Sequence, residues 1–581
     1  MRKSFFQNPG ARRTRVLFSG CLLWGCSLVQ GSVADLEAIA APMNSIFIRW
    51  TDQTADETGF RIERSPDGAT FSEVAVAPPD STAYTDSGLL PAQSYNYRVT
   101  ALSGTTPTGS EVTATSLPAW EIPVPQIGLS RVGPEAFQME LSGDGATYTI
   151  QESTDLSTWQ DSGNGGFLEA GEAVSLDFSA SAIPRFYRTS AHTYERPAAG
   201  AIGLSMPFAI PPEPTGEVWD VTLFGASPAN LNSTNDDAIA IKVAISIAEP
   251  GDIILIPEGT YTIRQTLELP SDITLRGAGM DATTLVTEGV ERAVVVPPEA
   301  HDIRIEGFSI TYLGETEELL HGVYVGSSRQ GRNSYRILID GLRIERFSVH
   351  GVSLRDCHHV LVQNCEMLNA TNLGGGGHGY GIALNYPTNN NNWIRNNTIG
   401  PVIRHAILIQ YYSHNNLVED NLAIENTEDA YDLHGEDEYA NELRFNIARD
   451  GDRDGFGVGN TGSTHDRSGP NNWIHHNTVE NSRSGVEIYQ GSDIVYVDKN
   501  IFTGNEYGIR VYGLGGKHLY LRGNTLDGNQ TGVTLENARW IWLLDNHIAN
   551  SSRYGIEVKS GVSDLVDEGN ILTGNAQDYF P

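Results

Sequence analysis

The chain is poor in cysteine, methionine and positive charge, and it lacks a long apolar run beyond its first thirty positions. Of 581 residues, four are Cys and six are Met. Cys21 and Cys26 lie near the N-terminus, which leaves Cys357 and Cys365 to a processed chain. Two cysteines exclude a disulfide scaffold. In an oxidising compartment they either pair or remain two small, semi-buried side chains. Lys and Arg total 38 against 72 Asp and Glu, a formal net charge of −34. That excludes nucleic acid and anionic membrane as partners, because both require a basic surface. A polyanionic partner would need a local positive patch. No later stretch reaches the ~20 apolar residues of a membrane-spanning helix, so a soluble, monomeric protein is expected.

What is present begins with a leader. Arg2, Lys3, Arg12, Arg13 and Arg15 precede a short, mostly apolar core from Val16 to Val29, followed by Gly31, Ser32 and Ala34. This pattern predicts a signal peptide over 1–34 and a secreted, extracellular or periplasmic protein. Leu23-Trp24-Gly25-Cys26 is a poor lipid-attachment box, so a lipid anchor is not expected.

Residues 35–118 contain "IFIRWTDQT", "GFRIERSPDG" and "YTDSGLLPAQSYNYRVTAL", period-two strands separated by turn residues. They resemble a fibronectin type III domain, and such a module implies a spacer or weak binder. Residues 119–195, with "YTIQESTDLSTWQDSG", resemble a small β-sandwich of secreted bacterial proteins. A Pro/Gly/Ala linker is expected at 196–216.

From 217 to 581 the character changes. "DAIAIKVAISIA" reads as a helix capped by Asp236 and Asp237, followed by the buried strand "DIILIPEGTY". An Asn-x-apolar turn then recurs at 397, 421, 446, 477, 500, 524, 546 and 570. The period suits one coil of a solenoid, and stacked asparagines can bond from coil to coil and tolerate left-handed backbone. This region resembles the pectate-lyase-like right-handed parallel β-helix superfamily, which implies an all-β solenoid and a carbohydrate-active function.

Each coil carries a strand of the form small-apolar-x-apolar-x, such as "GIALN" at 381, "AYDLH" at 430 and "GVEIY" at 485. Alternation buries Tyr431 and Leu433 and turns the third and fifth residues outward. One outward column holds Asp432, Gly457, Glu487 and Arg510; the other holds Asn385, Gln410, His434, Gly459, Tyr489 and Tyr512. The glycines suggest an open strip. Asp432, His434, Glu487, Tyr489 and Arg510 are therefore the catalytic candidates. Gln410, Arg404, His405, His378, Tyr512 and Asn385 are the substrate-binding candidates, with the insertions around His378 and His465-Asp466 as walls. Glu428, Asp429, Asp452 and Asp454 in the preceding turns could hold Ca2+. Glu436, Asp437 and Glu438, past the strand, read as a solvated loop.

Three chemistries fit these groups, all on a polysaccharide. In β-elimination of a uronate, His434 or Tyr489 serves as base or acid. Arg510 or Arg404 clamps the carboxylate, or Ca2+ neutralises it. In inverting hydrolysis, Asp432 and Glu487 lie two coils apart, roughly 9.6 Å by strand spacing; Asp429 and Asp454 are the adjacent pair. In C5-epimerisation, "YDLH" resembles the Asp-Pro-His signature of mannuronan epimerases, with Leu433 in place of Pro. "DGFGVGN" resembles the polygalacturonase Gly-His-Gly motif without its His. A non-catalytic binding protein or adhesin is the remaining alternative. Elimination is the reading preferred, because His, Tyr and Arg gather on one face.

Overall fold

A computed structural model describes residues 33–115, the strands between 126 and 191, and 210–580, apart from 42–44, 54–56, 91–92, 103–108, 229–235, 315–318, 330, 460–467 and 514–515. Residues 1–32, most of the linker, and His465-Asp466 therefore lie outside the described residues, while Val33 and Ala34, expected at the end of the leader, open the first strand. Among them no helix is long and apolar enough to cross a membrane.

Residues 33–115 form two antiparallel sheets of three and four strands. Their core holds Ile46, Ile48, Trp50, Phe60, Ile62 and Tyr97. Two further three-stranded antiparallel sheets follow between 126 and 191.

From Val218 onward the strands pair in parallel, each coil with the next, in one sheet of 26 strands and one of 13. Three strands per coil make the three faces of a right-handed β-helix. Its core runs the full length, from Val221 to Ile556. An α-helix, Ala238–Ile247, buries Ala240, Ile241 and Ala244 over the first coils. Asp236 accepts from the Ala238 amide at 3.2 Å, as a cap should. Asp237 does not cap: it accepts from Ser227 and Thr262 amides and ties the helix to the first coils.

The asparagine repeat is a continuous ladder. Each Nδ2 donates to the next Oδ1 at 2.9–3.1 Å from Asn397 to Asn570. The left-handed backbone is not theirs. It belongs to the residue before each one, including Asn396, Asp420, Phe445, His476, Lys499 and Asp545, with φ of 52–55°. The ladder position thus keeps ordinary backbone and is selected for its amide, which satisfies buried backbone groups at the corner. A second ladder runs through Asn392, Asn416, Asn441 and Asn472 at another corner.

The first module is not a free spacer. Phe47 leaves its own core and packs on the flank of the β-helix, against Trp473 at 5.7 Å and His475 at 4.8 Å between ring centroids. Beneath it Arg444 is clamped by Glu419 and Glu442, and His475 meets Glu442 at 3.1 Å. Glu37 adds a bridge to Lys499 at 3.1 Å. Cys357 and Cys365 are both free thiols, buried in the core.

Candidate functional site

One face of the β-helix is built by the strands His321–Gly326, His350–Gln363, Tyr380–Asn390, His405–Ile409, Tyr431–Leu433, Asp454–Val458, Ser484–Ile488 and Tyr507–Val511. Tyr431 and Leu433 lie in the core, as alternation requires. The register stacks Leu408, Asp432, Gly457, Glu487 and Arg510 in one column. A third column, one position before each small residue, also faces outward: His321, His350, Tyr380 and His405 pair in order.

His434 and Asp432 form the centre. Nδ1 of His434 lies 2.6 Å from Asp432 Oδ2, and Nδ1 of His405 lies 3.4 Å from the same oxygen. Burial disfavours charge on both rings. For His434 the Asp432 carboxylate outweighs it, and the imidazole is pushed up to about 9. For His405 burial wins, and the ring is pushed down to about 4. Asp432 is itself buried, but the two imidazoles hold it below the usual carboxylate range. His405 gives Nδ1–H to the Asp429 carbonyl at 3.0 Å, which leaves Nε2 as the bare lone pair. Among the described residues Nε2 has no hydrogen-bond partner.

The expected open strip is filled. A Cβ on Gly457 would lie 2.7 Å from Asp429 Oδ2 and 3.3 Å from Asp432 Oδ1. The glycine makes room for carboxyl groups of this protein, not for a sugar ring. Gly459 has φ of 82° and serves a turn. Asp429 is half-buried beside Asp454 and Asp432, and desolvation and their charges raise it well above the usual carboxylate range. Of Asp429 and Asp454, it is Asp454 that has a cation against it, the Arg483 guanidinium.

The four residues read as a calcium set do not converge. Glu428 lies between Arg404 at 4.0 Å and Arg453, Asp454 is paired with Arg483, and Asp452 is exposed. Among the described residues, the cluster on this face with ligand atoms within 4.8 Å of one another is His405, Asp429 and Asp432. Its groups are already engaged with one another and with His434.

Glu487, Tyr489 and Arg510 form a separate network around Arg483, a residue the sequence reading passed over. Arg483 reaches Asp454, Glu487 at 3.1 Å and the Tyr489 hydroxyl at 3.0 Å. Arg510 bonds Glu487 at 3.2 Å and lies over Tyr512 at 4.5 Å. Burial and the Glu487 charge push Tyr489 above the usual phenol range. These arginines are spent on carboxylates of the protein, so a substrate clamp at Arg510 is not supported.

The acidic run past the strand is the main revision. Gly435, with φ of 85°, turns the chain back, and Glu436 and Glu438 are buried rather than solvated. Glu438 accepts from the Gly435 and Glu436 amides at 2.9 Å and from the Ser468 hydroxyl. Burial pushes it up to about 7. Glu436 is thereby held beside Gln410, whose Nε2 donates at 3.3 Å, and burial pushes it up to about 8. Arg404 donates to the Tyr380 hydroxyl at 3.2 Å, and burial pushes that phenol up to about 12. Asn385 stacks on Gln410 in the column of His434. His378 stands at the rim, its Nδ1 3.2 Å from the Gly375 carbonyl.

Comparison with known proteins agrees with this architecture. Residues 31–116 match the model of the Fibronectin type III domain, 321–467 that of the Right handed beta helix region, and 456–579 that of the Periplasmic copper-binding protein (NosD). No curated protein matches. Similar solved structures include the A-module of the Azotobacter vinelandii mannuronan C-5 epimerase AlgE6, with 17% identity and TM-score 0.44, covering 62% of this chain and 96% of that one. A GH87 α-1,3-glucanase catalytic unit from Streptomyces thermodiastaticus has 14% identity and TM-score 0.44, covering 91% and 97%. The Streptococcus pneumoniae surface adhesin PfbA has 15% identity and TM-score 0.45, covering 62% and 93%. At these values none of the three bears on the activity of this chain.

Proposed function

Starting from a right-handed parallel β-helix with a fibronectin type III domain docked on its flank, we propose a secreted or periplasmic enzyme that cleaves a uronate-containing polysaccharide by β-elimination. One observation carries the reading. Two imidazoles one coil apart, 6.1 Å between ring centroids, are held in opposite protonation states on a rigid face. Groups whose environments drive them apart in this way are suited to divide acid and base roles.

In this mechanism the His434 imidazolium and Arg404 face the uronate carboxylate and stabilise charge as it develops. The neighbouring side chains must move aside from His405 Nε2, because this nitrogen is buried, and its lone pair then takes the proton from the carbon beside the carboxylate. Its electron pair becomes the new C=C bond as the glycosidic C–O bond breaks, and the leaving oxygen takes a proton from Tyr380 or Glu436. Asp432 holds His434 charged, and Gln410 and Asn385 meet sugar hydroxyls.

A second reading has its own support. Glu436 is protonated at neutral pH while Asp432 is ionised, the division of labour that inverting hydrolysis needs. An ultraviolet assay for unsaturated ends, run beside a reducing-end assay on a panel of polyuronates, separates the two. Elimination produces both signals together, and His434→Ala lowers kcat/KM by about 10²–10⁴. Reducing ends without ultraviolet absorbance, abolished by Glu436→Gln, would overturn elimination in favour of hydrolysis.

A further inference from the structure

The chain carries 72 acidic residues, yet five consecutive strand segments on the functional face contain none: "RAVVV" at 292, "HGVYVG" at 321, "HGVSLR" at 350, "YGIALN" at 380 and "HAILIQ" at 405. Acids flank the stretch, Glu268 on the coil before it and Glu428, Asp429 and Asp432 on the coil after it. Within it the outward residues are cations, aromatics, imidazoles and amides, with Val295, Ser353, Ala383 and Leu408 in the middle column.

Two guanidinium groups sit at the far end of this stretch. Arg292 lies over the Tyr324 ring at 3.9 Å and Arg355 over the same ring at 5.5 Å. Among the described residues neither has a carboxylate partner. Arg355 instead bonds the hydroxyls of Ser328 at 3.2 Å and Ser353 at 3.3 Å. Beside them His321 and His350 meet edge to face, with ring centroids 5.0 Å apart. His350 is fully buried, and among the described residues neither of its ring nitrogens has a hydrogen-bond partner; nor has Nδ1 of His321. Burial, reinforced by the Arg355 charge, keeps both rings neutral. Among the described residues the spot therefore offers two guanidinium forks over one tyrosine face, with no carboxylate bonded to either, while the imidazole nitrogens beside them are buried.

The register connects it to the proposed reacting centre. Arg355, Asn385, Gln410 and His434 occupy one column on successive coils. Two cations bracket two amides over three coil spacings, about 14 Å at the spacing of paired strands. A sugar chain lying along the helix axis would meet charge at each end and hydroxyl-binding amides between.

We propose that Arg292, Tyr324 and Arg355 form an anion-binding subsite for a carboxylate or sulfate group of a polysaccharide running along the helix axis, three coils from His434. The subsite rests on the reading of this face as a polysaccharide groove, and not on which bond-breaking reaction occurs there. Guanidinium forks suit either oxyanion.

Affinity gel electrophoresis of the full chain tests it, with polygalacturonate, polymannuronate, dextran sulfate or unsubstituted dextran in the gel. Arg355→Gln and Arg292→Gln should each weaken retention by a polyuronate about tenfold, the loss of one charge-assisted contact. Dextran retention should not change. Retention by dextran sulfate but not by polyuronates identifies sulfate as the anion. Arg355→Lys keeps the charge without the fork and recovers part of the affinity, which separates recognition from folding. Equal retention of wild type and both Gln variants overturns the subsite, and so does a wild type that no polyanion retains. Arginine-dependent retention without unsaturated products keeps the subsite and removes the elimination reading. Unsaturated products with retention insensitive to both substitutions do the reverse.

Discussion

His405 and His434 carry the same ring a coil apart, and the position of Asp432 decides their charges. Its oxygen is 2.6 Å from one Nδ1 and 3.4 Å from the other. The His434 pKa rises from 6.5 unfolded to about 9 folded. The imidazolium therefore stabilises the fold fully below pH 6.5, and the contribution fades as pH rises through 9. By linkage it is worth about 3 kcal/mol. Asp432→Asn should remove most of it, so urea unfolding of wild type and variant should differ more at pH 6 than at pH 10. Equal differences at both values would contradict the pairing. Gly457→Ala should disturb the same centre, because its Cβ would sit 2.7 Å from Asp429 Oδ2. A loss of at least tenfold in activity with the fold retained is expected, measured by initial rates beside circular dichroism. At this scale the sequence was half legible. Period two placed Asp432 and His434 on one face. It could not place Glu436, because the left-handed turn at Gly435 ends the alternation and folds the next acids inward.

The elements were the most legible part. A polar side chain recurring about every 24 residues has few explanations other than a coil corner, and the ladder from Asn397 to Asn570 is that corner. The repeat did not disclose which residue bends the backbone, since Phe445 and His476 take the left-handed conformation as readily as Asp420. Asn446 is fully buried and bonds both neighbours in the ladder. Asn446→Ala leaves Asn421 and Asn477 each short of a partner and should cost about 1–3 kcal/mol, read as a lower urea midpoint. A variant as stable as wild type would mean the ladder is decoration. The column from His321 to His405 is hidden from the strand pattern because it lies one position before the small residue that opens each alternating run. The bend there lets two non-alternating positions share the outer face.

At the scale of the molecule, the sequence did not show how two parts join. The sign was present in "SIFIRW": Ile46, Ile48 and Trp50 fill the module's core, and Phe47, of opposite parity, is apolar as well. Parity could say that Phe47 needed cover but not that Trp473 supplies it. Phe47→Ala should free the module, which would then melt as a separate calorimetric transition; one unchanged transition would show that docking does not depend on this ring. Net charge likewise averages away the face that matters, because the acid-free strands upstream of Asp429 are a local exception in a chain of −34.

The account stands or falls on the pH dependence of unsaturated-end formation from a polyuronate. Its kcat/KM should rise as His405 loses its proton near pH 4 and fall as His434 loses its own near pH 9. Asp432→Asn should draw the alkaline limb back toward the ordinary imidazole range while the variant remains folded. Absence of unsaturated ends on every polyuronate, or an alkaline limb that Asp432→Asn leaves in place, would contradict it.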